Sequence, residues 1–381
     1  MATWIPTTGI TSKIRLDDLP IVDLDVHLLE NVDEIAAYCD EPWRRVIAER
    51  QPVPPFGGGL RMFPNFPGQW EPRRPVSTSP ATLRADLDAL SIDLAVLFPE
   101  MCLALARQPD PHYAMAVARA YNRWIVDRYL TTERGFYGGI VAAPQDPEGT
   151  AREIARYAAH GRVVGIALPT SGVNPLWGDR RYDPIYEAAQ EHDIAVMYHA
   201  GGSLLMPVLP YNLGQFDTWF SQHTYSHNVA LMASLANLLS TGVPVRFPRL
   251  RMIFIEAGIS WVLHMMHRLD WAWAQYRDDL SLLTEPPSAY IRRMFFATQP
   301  IEEPESLADM ADVIRLIGGE ESVLFASDYP HHDFDHPKKV YDVPVSPEVK
   351  RQIMGGNALR ALNIPMPEAA QRVPRPVAVE R

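Results

Sequence analysis

The 381-residue sequence predicts a (β/α)8 TIM barrel, an α/β fold, with insertions after its first and fifth strands. Three observations carry that prediction. Eight short runs are almost continuously apolar, as strands buried on both faces of a parallel sheet must be. Helical periodicity separates the runs, so strand and helix alternate. The rival fold, a doubly wound open sheet, lacks its mark, because no GxGxxG follows the first run.

The runs are IVDLDVH (21–27), LAVLFPEM (94–101), FYGGIVAAP (136–144), VVGIALPT (163–170), IAVMYHAGG (194–202), RMIFIEAG (251–258), MFFATQP (294–300) and VLFASDYP (323–330). Each is too short for a buried helix. Between them, residues 111–130 set Met115, Ala118, Tyr121, Ile125 and Tyr129 three or four positions apart, the spacing of one helix face. Residues 146–161 open on Asp146 followed by Pro147 and close on Gly161, a start and a stop for a helix. Residues 181–193 and 304–319 read the same way.

Two stretches break the repeat. Residues 42–80 are rich in Pro, Gly and aromatics, and 203–225 follow the fifth strand. Both fall on the C-terminal face of a barrel, where loops build sites, lids and subunit contacts. Exposed Trp70 and Trp219 there would suit a homo- or hetero-oligomer. The chain is therefore expected to be a single domain over 1–381, with the barrel over about 19–363. Residues 364–381 read as a poorly ordered or partner-docked tail.

Composition excludes several classes. The net charge of −11, with no basic patch, argues against a nucleic-acid partner. No window holds ~18 uncharged apolar residues, so no membrane span is expected. The N-terminus has no apolar core behind a basic start, unlike a secretory signal. Only Cys39 and Cys102 are present, in no metal-type spacing, which suits a reduced, cytoplasmic protein.

The strand ends carry the chemistry. Asp25 and His27 are two apart and share a strand face. The fifth, sixth and eighth runs end with His199, Glu256 and Asp328. In a barrel these groups meet at the mouth, where gathered carboxylates would repel without a cation. A divalent metal is the natural resolution. Further donors lie nearby: His223 and His227, four apart just ahead of a helix, then His331, His332 and Asp333, and Glu30. Taken singly, each reads equally well as a loop residue or a cap. His160, His192, His264, His267 and His336 are assigned to caps or surfaces. The donors exceed the about four to six that one metal takes, which suggests two metals per chain. A set without thiolates suits iron or manganese as well as zinc. A small-molecule substrate could be lined by Trp177, Tyr225 and Trp261, with Tyr211 and Trp219 nearby. Arg61, Arg73 and Arg74 could clamp a carboxylate but read more simply as a solvated loop.

DLDVH, YHAGG, FIEAGISWVLHMMHRLD and FASDYPHHD, in that order, resemble the amidohydrolase superfamily, in its amidohydrolase-related branch, over about residues 20–360. The resemblance implies that Asp25, His27, His199 and Asp328 are metal ligands. Two departures matter. The fourth strand, VVGIALPT, lacks the lysine that bridges two metals in many of the hydrolases. Glu256 stands where decarboxylases of the branch usually carry a histidine. That glutamate points toward the branch's dinuclear non-haem iron or iron–manganese oxygenases. The first expectation is thus an O2-dependent hydroxylase of an unactivated C–H bond. Asp25, His27, His199 and Asp328 would hold one metal, and Glu256 with His223 or His227, joined by His331 or His332, the second. The alternative is a metal-dependent hydrolase or non-oxidative decarboxylase of a small carboxylic acid, with Glu256 or a nearby histidine moving the proton. A catalytically silent scaffold subunit is a third reading.

Overall fold

The computed structural model describes residues 16, 19–49, 79–200, 207–208, 211–212, 218–280, 282–331 and 333–366. All eight apolar runs form strands: β1 (Val22–Leu28), β2 (Leu94–Pro99), β3 (Phe136–Val141), β4 (Val163–Pro169), β5 (Ala195–His199), β8 (Met252–Ile255), β9 (Phe295–Ala297) and β10 (Val323–Leu324). Two short strands, β6 (Pro207–Val208) and β7 (Tyr211–Asn212), pair with each other alone. The other eight form one parallel sheet in the order β1-β2-β3-β4-β5-β8-β9-β10. Backbone bonds close the ring beyond β10: Leu24 N to Phe325 O (3.0 Å), Asp328 N to Asp25 O (3.0 Å) and His27 N to Tyr329 O (2.7 Å). Alternating strands and helices around a closed parallel sheet make a (β/α)8 barrel.

The helices follow the sequence signals closely. Asp146 caps Pro147–Tyr157 by accepting from Gly149 N, and Gly318, at φ +76°, ends Leu307–Ile317. Inside the barrel, Val22, Leu24, Val96, Ala195, Met197, Ile253, Ile255 and Leu324 pack as one apolar cluster. Met197 fills the centre because β3 and β4 present Gly139 and Gly165 to it. A Cβ on either would lie 2.6 or 2.4 Å from its methyl carbon.

Two expectations change. The stretch 203–225 does not remain an insertion to its end: a 22-residue helix, Trp219–Ser240, begins within it. Thr218 caps that helix by accepting from Ser221 N, so the polar Asp217-Thr218 pair marks its start. His223 and His227 therefore lie within the helix rather than ahead of it. At the other end, 42–80 opens with a helix at Trp43–Glu49. Residues 50–78 of that stretch, including Arg61, Trp70, Arg73 and Arg74, lie outside the described residues, as do 367–381 of the tail. Among the described residues no helix is long and apolar enough to cross a membrane.

Candidate metal centre

The C-terminal ends of five strands converge on one buried cluster. β1 supplies Asp25 and His27, and the residue after β2 is Glu100. β5 ends in His199, β8 is followed by Glu256, and the segment after β10 carries Asp328 and His331. A bulge in β1 aims the first pair. Its pairing with β2 shifts register between Asp23 and Val26, one extra residue against Ala95–Leu97. Val22 and Leu24 thus join the barrel interior and Val26 the outer core, while Asp25 and His27 reach the mouth.

The donor atoms are close. Asp25 Oδ1 lies 3.2 Å from His199 Nε2 and 3.4 Å from His27 Nε2. His27 Nε2 is also 3.2 Å from Asp328 Oδ1. Both imidazoles are fixed from behind. His27 Nδ1 donates to Pro99 O (3.0 Å) and His199 Nδ1 to Ala200 O (2.5 Å), so each turns Nε2 toward the cluster. Gln299 Nε2 donates to Asp328 Oδ2 (3.1 Å). Asp23, fully buried, accepts from Ser327 Oγ (2.5 Å), Ser327 N (2.9 Å) and Asp25 N (3.1 Å), tying β1 to the segment bearing Asp328. Burial, outweighing these bonds, raises the Asp23 carboxyl to about 7. Glu256 and Asp328 have φ of +70° and +61°, a conformation that side-chain-bearing residues rarely adopt and that concentrates at functional sites.

The electrostatics are those of a site lacking positive charge. Among the described residues, no Lys or Arg pairs with Asp25, Glu100, Glu256 or Asp328, and histidines alone stand against them. Burial opposes ionisation of Asp25, but His199 and His27 outweigh it and hold the carboxyl below its usual range. For Glu100, burial is likewise outweighed, by His331, His27 and His199, and the carboxyl falls to about 2. Burial would lower His199, yet Asp25 and Glu256 drive it up to about 10. Glu256 goes the other way: burial, reinforced by Asp328 and Asp25, pushes it well above the carboxylate range. Asp25 Oδ2, His27 Nε2, Glu256 Oε2 and Asp328 Oδ1 are buried without a hydrogen-bond partner. Four orphaned buried donors around a negatively charged point fit a divalent cation better than any arrangement of protons.

Other sites predicted from the sequence are distributed unevenly. His331 joins the cluster, with Nδ1 2.7 Å from Asp328 Oδ1 and Nε2 2.8 Å from Glu100 Oε2. Asp25, His27 and His199 form one group able to hold an ion, and Glu256, Asp328 and His331 another. His27, Glu100 and His331 form a third. His227 is buried with Nε2 3.6 Å from Glu256 Oε1, and burial, aided by His223, lowers it to about 4. His223 sits beside it, ring centroids 4.7 Å apart, with Nε2 3.3 Å from Asp333 Oδ2. Their four-residue spacing does put them on one helix face. His332 lies outside the described residues. Glu30 turns away from the centre. It accepts from Met101 N and Cys102 N (both 2.9 Å) and Glu100 N (3.3 Å), capping the helix that follows Glu100. Trp177 is fully buried and donates to Pro169 O (2.8 Å), while Trp261 donates to Gly258 O (2.9 Å) and packs on Phe254 and Phe296. Tyr225 is exposed. Glu100 was not predicted. Its signal was a carboxylate directly after a fully buried strand, in LAVLFPE.

A closed barrel with carboxylates and imidazoles gathered at its C-terminal mouth defines a class of metal-dependent TIM-barrel enzymes. The Amidohydrolase family model matches residues 22–364, and the chain belongs to that family. It is 25% identical over 264 residues to a gamma-resorcylate decarboxylase of Rhodococcus jostii, covering 65% of this chain and 76% of that protein. It is also 25% identical over 288 residues to a 2-keto-4-carboxy-3-hexenedioate hydratase of a Sphingobium species, covering 70% and 77%. Among solved structures, a 5-carboxyvanillate decarboxylase of Novosphingobium aromaticivorans with bound manganese superposes with a TM-score of 0.68. It is 18% identical and covers 92% of this chain and 98% of its own.

Proposed function

We propose that this protein is a non-oxidative decarboxylase of a small hydroxylated aromatic acid, using one divalent metal held by Asp25, His27, His199 and Asp328. The observation that carries this reading is the set of buried, orphaned atoms of Asp25, His27 and Asp328, converging from β1 and the segment after β10 beside His199 of β5. The relatives support its chemistry. Decarboxylases of aromatic acids recur among them, and one of these binds manganese. They favour the decarboxylase alternative of the sequence reading and lend nothing to an O2-dependent hydroxylase, nor to iron or zinc.

A divalent metal held by Asp25, His27, His199 and Asp328 would supply Lewis acidity toward the substrate's carboxylate. The residues do the rest. Glu256, kept neutral by burial, holds a proton at the edge of the cluster. It delivers that proton to the ring carbon bearing the carboxylate. The C–C bond then breaks, its electron pair returns to the ring, and CO2 leaves. Water returns a proton to Glu256 afterwards, and His227, uncharged at neutral pH with its Nδ1 donating to His223 O (3.0 Å), turns an unprotonated Nε2 toward the Glu256 acid. Glu256 thereby fills the acid role of the histidine usual at this position. His331, clamped between Glu100 and Asp328, fixes the orientation of Asp328.

The test is turnover under nitrogen. Manganese-loaded protein should convert 2,6-dihydroxybenzoate or 5-carboxyvanillate to the phenol and CO2 without oxygen. Turnover of these acids that needs oxygen, or none at full metal loading, would overturn the reading. One observation keeps the dinuclear hydroxylase as a second reading: Glu256, Asp328 and His331 lie within 4.8 Å of one another, a group able to hold another ion. Two metals per chain with substrate-dependent oxygen uptake would favour it.

A further inference from the structure

The C-terminal face carries a second concavity, of about 730 Å³, lined by none of the residues of the metal centre. It opens between the segments that follow β2, β3 and β4. Its polar lining is Arg107, Gln108, Gln145, Glu148, Asn174 and Arg181, set among prolines and Tyr182. That volume is within the range of small-molecule sites.

One of its groups is unsatisfied. Arg107 is half-buried, and among the described residues it makes no ion pair and no hydrogen bond. Its stem is built in: Gly172, at φ +77°, lies so close that a Cβ there would sit 2.5 Å from Arg107 Cγ. Only glycine suits that conformation and clearance together. A guanidinium drawn partly out of water without an acid beside it is costly to keep, and burial lowers its pKa accordingly. Gln145 Nε2, committed to Leu105 O (3.0 Å), Ala106 O (3.2 Å) and Gln108 O (2.8 Å), fixes the segment that carries Arg107. The cavity wall thus offers a planar donor fork, with the exposed Arg181, itself 3.4 Å from Asp179, as a second cation.

We propose that this cavity is a second binding site, separate from the metal centre, for a small organic carboxylate. The carboxylate pairs with the Arg107 fork. The seven-residue helix Met101–Arg107 joins the two sites, from Glu100 at the cluster to Arg107 at the cavity. At ~2 Å per residue it separates them by about 14 Å.

The probe is 5-bromo-2-hydroxybenzoate, followed by calorimetry on manganese-loaded protein and by bromine anomalous diffraction from soaked crystals. Two binding events are expected in the wild type. Asp328→Ala should abolish only the one at the metal centre. Arg107→Met should weaken the other about tenfold or more, and the exposed Arg181→Ala about threefold. Arg107→Lys, which keeps the charge but loses the fork, should fall between them. Bromine density beside Arg107 would agree. If Arg107→Met fails to fold by circular dichroism, Arg107→Lys and Arg181→Ala decide. Loss of all binding in Asp328→Ala would overturn the proposal. So would binding in folded variants indifferent to both arginines.

Discussion

Val22 and Asp25 stand on the same strand, and neither is exposed to solvent, yet they sit in opposite environments. Below the bulge, β1 contributes Val22 and Leu24 to the apolar interior beside Met197 and Ile253. Above it, the strand contributes Asp25 and His27 to a cluster whose buried lone pairs have no partners. The interior is satisfied by its own packing; the mouth is not. This contrast separates the part of the barrel that holds the fold from the part that gathers its ionisable groups. Substitutions in the two regions should therefore fail in different ways.

The largest effect is expected at the mouth. His199→Ala or Asp328→Ala should reduce bound metal to under about a tenth and kcat/KM by about a thousandfold or more, as lost ligands do at metal sites. Without metal, the melting temperature should hold or rise in Asp328→Ala, which removes a buried, poorly satisfied carboxylate, and fall in His199→Ala, which strips Asp25 and Glu256 of their imidazole partner. Elemental analysis beside calorimetry checks both halves. Next is Glu256→Gln, which keeps the shape but cannot donate a carboxyl proton. It should retain metal and lower kcat by about 10²- to 10⁴-fold with little change in KM.

In the interior the pattern should reverse. Met197→Ala leaves a hole over Gly139 and Gly165 and should cost about 2–5 kcal/mol of stability, with metal content per folded chain unchanged. Denaturant unfolding measures it. A smaller effect is expected at the seam between the regions, where Glu30 caps the helix after Glu100. Burial raises its carboxyl from 4.5 to about 7 in the fold. Folding therefore favours its protonated form. That contribution is fully present below about pH 4.5 and is lost as the pH rises through 7. Glu30→Gln should gain stability relative to the wild type between pH 5 and 7.5, read as a narrowing or reversal of the difference in melting temperature.

Much of this was legible in the sequence. The eight strands were, because two-sided burial leaves continuous apolar runs such as VVGIALPT. That Asp25, His27, His199, Glu256, Asp328 and His331 would gather at one end of the barrel was legible too, because each stands in or directly after such a run. The bulge that re-aims Asp25 was not, since alternation alone would pair it equally with Asp23, which instead ties the strand to Ser327. Glu100 was not singled out although it lies within the run LAVLFPEM. The separate fates of Glu30 and Glu100 depend on tertiary contacts across about seventy residues, which no local pattern encodes. His227 was expected at the site, but the long helix that delivers it was hidden by the proline-rich stretch before it.

The most direct measurement is the metal content of the wild type and of His199→Ala, each produced with iron, manganese and zinc supplied together. About one divalent metal per wild-type chain, lost in the variant while the barrel still folds, is the expected result. A wild type without metal, or a variant that keeps its full complement, would contradict the assignment of the β1, β5 and Asp328 donors as a metal centre.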